Sequence, residues 1–293
     1  MDMIACEDAM TKLDLFNELI RKSIKSSDEK TFEVSNKRFY YPNKYAKGIE
    51  NYYRYTKRES KEFNSFQTSW GYECFKICSV ASSARLAFLK LALKRNIKFE
   101  WHLVNGATKT KKEWNGPKRN DAQLDAYDGN SFYECKCQEI LETKTKLSKS
   151  YYPLLKEYFE IEINNSSQKN YVPSLKEMKI DNSNKKYTET LFDIKQLFTH
   201  LCAIIKCNNE LQRDVKLHYI FFKPSDKHLK ETPLESLYDE LEKEIKAIKT
   251  SDVIKKAKDR FHIDFVCEIV DVGDEIFTKE PSDIYLEFIK NRP

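Results

Sequence analysis

The sequence predicts an α/β (α+β) protein with a central mixed sheet of four to five strands flanked by helices, a helical N-terminal region and a C-terminal extension. Three observations carry this reading. Residues 97–104 ("IKFEWHLV") and 121–138 alternate apolar and polar side chains, as half-buried strands do. Residues 215–224 ("VKLHYIFFKP") hold a short apolar run, the pattern of a strand buried inside a sheet. Stretches with helical spacing lie between these runs, so helices and strands interleave along the chain.

In chain order, residues 10–25 place Leu13, Phe16, Ile20 and Ile24 on one helical stripe. Residues 30–80 are aromatic and mixed, read as helices and loops. "SSARLAFLKLAL" starts with Ser82 or Ser83 as a cap and is apolar on nearly every side, so a buried helix is expected. The strand 97–104, a basic loop and the 121–138 hairpin follow. Residues 145–188, rich in Asn, Ser, Lys and Tyr, read as an insertion with little regular structure. Helical spacing returns over 189–206, before the buried strand. "TPLESLYDELEKEIKAIK" offers Thr232 as cap, Pro233 at the first helical position and Glu235 to close a capping box. Its apolar stripe is Leu234, Leu237, Leu241, Ile245 and Ile248, and a last strand is expected over 261–270. The division that follows is an N-terminal basic and aromatic region (1–80), a core (81–224) and a C-terminal helix–strand extension packed on it (225–293).

At 293 residues the chain can bury a substantial core. Only six glycines, with no Walker or dinucleotide fingerprint, argue against a nucleotide-binding fold built on glycine-rich loops. The eight cysteines lack zinc-ribbon spacing and read as buried thiols in a reducing compartment. An acidic N-terminus without a signal-peptide core, and no apolar run of membrane length, make the expectation a cytoplasmic protein with no membrane partner.

The net charge of +5 is unevenly spread. Between Lys37 and Lys61 eight Lys or Arg face only Glu50 and Glu59, among six tyrosines. Further basic runs cover 109–119 and 144–149, on either side of the hairpin. Cations attract phosphates whatever the sequence, and rings among them can stack on bases. Lys37, Arg38, Arg54, Arg58, Lys111, Lys112, Lys118 and Arg119 are therefore the candidate contacts to a nucleic-acid backbone.

"LDAYDGNSFYECKC" (124–137) is the centre of the reading. Asp128-Gly129 is a strong hairpin signal. With Gly129 and Asn130 as the loop, Asp125 lies opposite Glu134; sliding the loop by one residue puts Phe132 opposite Asp125 instead. Either way Asp121, Gln123, Asp125, Phe132, Glu134, Lys136 and Gln138 share one face, because side chains alternate with period two. Ala122, Leu124, Ala126, Tyr133, Cys135 and Cys137 form the other, core face. Alternation alone describes an ordinary hairpin with one solvated, charged face.

The order helix, strand, strand, strand, helix, strand, with "LD", an eight-residue gap and "ECK", resembles the PD-(D/E)XK nuclease superfamily over roughly residues 81–224. "ECKCQE" is similar to its third-strand motif, "FDIKQLFTHLCAI" to the helix that follows, and Glu139 to the acid that soon follows the lysine in bacterial restriction endonucleases. Leu124 stands where the motif has proline, which leaves Asp121 and Asp128 as rivals to Asp125. The resemblance implies a restriction-endonuclease-like fold and a metal-dependent endonuclease acting on double-stranded DNA. A restriction or defence role is implied, and a homodimer if both strands of a palindrome are cut. Magnesium, with manganese as substitute, suits two carboxylates completed by water and phosphate. Asp125 and Glu134 are the expected carboxylate ligands, and the resemblance adds the main-chain carbonyl of Cys135. Lys136 is expected to orient water or stabilise negative charge, and Gln138 to touch phosphate or water. Glu73 and Glu100 are candidate extra acids, though each reads better as a structural or surface residue. His200 reads as a satisfied core histidine. The alternative is a nucleic-acid-binding module on an inactive scaffold; a repair or recombination nuclease would differ only in its partner.

Overall fold

The computed structural model describes residues 11–24, 33–35, 38–40, 82–94, 97–104, 121–163, 171–208 and 213–278. Helix α1 (Lys12–Ser23) is capped by Thr11, whose side chain accepts from the Asp14 N–H, and it buries Phe16 and Ile20 as its stripe requires. Two short strands, β1 (Glu33–Ser35) and β2 (Arg38–Tyr40), pair antiparallel. Helix α2 (Ser83–Leu91) takes Ser82 as its cap, and its apolar residues from Leu86 to Leu89 are fully buried.

The main sheet has five strands in the order β3 (Lys98–Val104), β4 (Asp121–Tyr127), β5 (Ser131–Lys136), β6 (Val215–Lys223) and β7 (Ile263–Asp271). The first three are antiparallel to one another; β6 and β7 continue parallel to β5. The mixed sheet of the sequence reading is thus observed, and the C-terminal segment contributes a hydrogen-bonded fifth strand to it.

Helices cover both faces. On one, α2 rests on β4 and β5, with Phe88 against Phe99. On the other, α4 (Ile194–Asn208) lies across β3 and β4. Ala122, Leu124 and Ala126 are buried as expected, and so are Tyr133, Cys135 and Cys137. The opposite face departs from the sequence reading: Phe132 and Glu134 are buried too, because α4 roofs a surface that alternation alone presents as solvated. The apolar run of β6 fits its place between two parallel neighbours.

Two local expectations are corrected. Residues 145–188 carry a helix, α3 (Tyr152–Phe159), behind a 3-10 turn, and the segment buries Tyr151, Leu155, Phe159, Met178 and Tyr187 in the core. Helix α6 (Glu235–Thr250), which follows the short α5 (Asp226–Leu229), is capped by Leu234 and not Thr232. The Thr232 hydroxyl donates to the Leu229 carbonyl, and the Glu235 carboxylate accepts from the Glu231 N–H, so the capping box does not form. Helix α7 (Asp252–Phe261) leads through His262, in the left-handed region, straight into β7, after which the one-turn α8 (Glu275–Thr278) closes the described chain.

Candidate active site

The hairpin loop is Gly129-Asn130. The Asp128 N–H donates to the Ser131 carbonyl, and Gly129 has φ +106°, a conformation glycine adopts without strain. Asp128 is committed to this turn: its Oδ1 accepts from the Asn130 and Ser131 N–H groups, and its Oδ2 from the Tyr133 hydroxyl. That removes it as a rival to Asp125. Pairing of β4 with β5 runs through Tyr127–Phe132 and Ala126–Tyr133, and continuing the register sets Asp125 opposite Glu134.

At that point the ladder opens. The Cys135 N–H, which would continue the antiparallel pairing, donates instead to Oδ2 of Asp125 at 2.5 Å. A residue's N–H and C=O leave a strand on the same edge, so the Cys135 carbonyl also turns toward β4. One carboxylate has entered the gap between two strands.

Glu134 is 4% exposed, and its neighbours account for how a buried acid is tolerated. Oε1 lies 2.6 Å from the Lys136 ammonium and accepts from Gln196 Nε2 at 2.8 Å. Oε2 lies 3.8 Å from Nε2 of His200. Burial pushes the Glu134 carboxyl up, against the pull of Lys136. Burial alone would lower the Lys136 amine, but Glu134, Glu139 and Asp125 outweigh it, and the ammonium is held in its charged form. His200 is the satisfied core histidine expected: Nδ1 shares a hydrogen bond with the Tyr219 hydroxyl at 2.8 Å and Nε2 one with the Gln123 carbonyl at 3.1 Å. Burial and the Lys136 charge drive its pKa down to about 3.

The structure therefore brings Asp125, Glu134, Cys135 and Lys136 together and leaves Gln138 out. β5 ends at Lys136, Cys137 turns the chain (ψ −96°), and Gln138 opens a 3-10 turn rather than continuing the strand face. The side-chain oxygen of Gln138 is buried and makes no hydrogen bond among the described residues. Glu139 faces the site instead, held by the Ser83 hydroxyl and the Cys137 N–H at 2.6 Å each. Gln196 is the residue the sequence reading missed. It sits four positions before His200, on the same face of α4, and a polar pair at that spacing on an apolar helix was the available signal. By register Glu100 of β3 falls opposite Asp125 of β4. Trp101 stacks on Tyr127, and Tyr127 on Phe132, so this tryptophan belongs to the packing. Of the proposed DNA contacts, Arg38 lies in β2, while Lys37, Arg54, Arg58, Lys111, Lys112, Lys118 and Arg119, like Glu73, lie outside the described residues.

Family models, curated proteins and solved structures were all compared with this chain, and none matches it.

As a metal-binding set, Asp125 and Glu134 supply two hard carboxylates on adjoining strands, and the Cys135 carbonyl a third oxygen on the same edge. This suits magnesium, which keeps much of its shell as water. Among the described residues no group of three His, Cys, Asp or Glu side chains is gathered for a metal. A metal here would rest on two side chains and the main chain. No described helix is long and apolar enough to cross a membrane.

Proposed function

We propose that the chain is a metal-dependent DNA endonuclease of the PD-(D/E)XK kind, with a restriction-endonuclease-like core, hydrolysing phosphodiester bonds in double-stranded DNA in a restriction or defence setting. The supporting observation is the acid of β4 meeting the Glu-x-Lys of β5 where the ladder between them opens.

In this reading Asp125, Glu134 and the Cys135 carbonyl would hold Mg2+, or Mn2+ in its place, which would supply Lewis-acid neutralisation of the phosphate and a more acidic water. Lys136, held as an ammonium, stabilises negative charge on the attacked phosphate and orients water beside it. Gln196 fixes the carboxylate of Glu134 through Oε1, so the acid is oriented before substrate arrives.

One observation favours the second reading, a DNA-binding module on an inactive scaffold: Glu134 and Lys136 already neutralise each other at 2.6 Å. Plasmid DNA incubated with the purified protein in magnesium, and again with chelator, separates the two. Magnesium-dependent nicking or linearisation that Lys136→Ala abolishes supports the nuclease. Retention of DNA without cleavage supports the binding module.

A further inference from the structure

Beside the Glu134–Lys136 pair, the sheet, α4 and the segment 139–145 enclose a cleft of about 390 Å³. Three amines from three elements line it: Lys136 of β5, Lys144 of the segment after the 3-10 turn, and Lys195 of α4, with Thr145 and Thr199 between them. Three acids share this wall, and two of them are held in place by hydrogen bonds. Glu139 is held by Ser83 and Cys137, Asp193 accepts from the Gln196 N–H at 2.9 Å, and Glu142 is exposed.

The amines are not used up in the same way. Lys144 donates to the Glu139 carbonyl at 2.5 Å, and Lys195 to the Thr145 hydroxyl at 2.6 Å. An ammonium carries three N–H donors, and each of these spends one in a described hydrogen bond. Burial and the like charge of Lys136 push the Lys144 amine down, although Asp193, Glu142 and Glu139 pull the other way. An anion bound between the lysines would favour the charged amine against both effects. A space of this size belongs to the class of small-ligand pockets; it admits one phosphate and its sugar, not a duplex.

We propose that this cleft holds the phosphate next to the attacked one on the cut strand, with Lys144 and Lys195 as its contacts. The proposal rests on the nuclease reading and adds the place where the strand is gripped.

The test is binding of the full-length protein to a duplex oligonucleotide across a salt series, with calcium in place of magnesium to hold back turnover. Because both lysines contact one phosphate, the double variant should reduce the slope of log affinity against log salt by about 0.9, and Lys144→Gln or Lys195→Gln alone by part of that. Lys246→Gln, an exposed charge on α6, should keep the wild-type slope. An unchanged slope in the double variant overturns the proposal. Where Lys144→Gln fails to fold, Lys195→Gln alone decides, by a reduced slope or by a slope equal to that of wild type. Wild-type cleavage in magnesium is read separately. Cleavage with an unchanged slope removes only the strand contact, and a changed slope without cleavage removes only the nuclease.

Discussion

The two edges of β5 are built differently. On one, parallel pairing with β6 runs unbroken from Ser131–Lys216 to Lys136–Phe221. On the other, antiparallel pairing with β4 stops after Ala126–Tyr133, and the Asp125 carboxylate takes over the Cys135 N–H. The same six residues thus complete one ladder and break the other. The closed edge holds the strand rigidly in place, and the open edge is where polar chemistry gains access to a buried strand. A site of this kind costs little, because the donor left by the missing ladder bond is satisfied by the acid that occupies the gap.

The largest effect expected at the open edge is on activity. Asp125→Ala, Glu134→Ala or Lys136→Ala should each lower plasmid cleavage by about a thousandfold, close to 4 kcal/mol in the barrier, with circular dichroism unchanged. Full activity in all three would remove the nuclease from this site. Next in size is stability. Lys136→Met leaves Glu134 buried without its cation and should cost about 3 kcal/mol in denaturant midpoints, whereas Glu134→Leu combined with Lys136→Met should recover most of that. If the double variant is no better than the single, the pair is not an isolated buried ion pair.

A third expectation concerns acid. The folded-state pKa of His200 is depressed from 6.5 to about 3, so between those values the unfolded chain binds a proton that the folded chain does not. Its contribution to stability is complete above pH 6.5 and is lost as pH falls through that window, by about 2 kcal/mol at pH 5. His200→Gln should flatten this acid limb relative to wild type, and an identical pH profile would contradict it.

A smaller effect sharpens the contrast of edges. Asp125→Ala orphans the Cys135 N–H at a cost of about 1 kcal/mol, so hydrogen exchange at the Cys135 amide should quicken while the amides of β6 keep their protection. Smallest of all, Cys135→Ala should leave cleavage near normal, and thiol labelling of the native protein at Cys135 and Cys137 should be slow, since both are buried. Fast labelling with loss of activity would mean that the two faces of β5 are reversed.

These contrasts also mark what could be read from residue order. The hairpin was readable because its turn depends on local chemistry: Gly129 takes a backbone conformation closed to most residues, and Asp128 bonds its own turn. The strand β6 was readable because an apolar run needs cover on both sides. The roof over Glu134 was not, because alternation reports that one face differs from the other and not that a helix sixty residues later supplies polar partners for it. Gln138 was misplaced because nothing in "KCQE" signals that the strand stops at Lys136. The helix within 145–188 was available and overlooked: Tyr151, Leu155 and Phe159 recur every four residues, and all three are buried. The absence of proline before Asp125 left the first acid open between three positions; geometry narrows it by giving Asp128 to the turn.

The topology also sets an order of events in time. Asp125 and Glu134 belong to a hairpin closed by a two-residue loop, a contact that forms on the microsecond scale. The wall that completes their surroundings arrives from far along the chain, since Ser131 pairs with Lys216, 85 residues on. Such distant parallel pairing is slow, because the closure entropy comes due before any contact offsets it. During synthesis the two acids therefore face each other long before β6 and α4 enclose them. A chain halted before residue 215 carries the hairpin with one strand edge bare and its acids in water. In that interval β5 is open to pairing with any other strand, and prompt arrival of β6 is what guards it against aggregation.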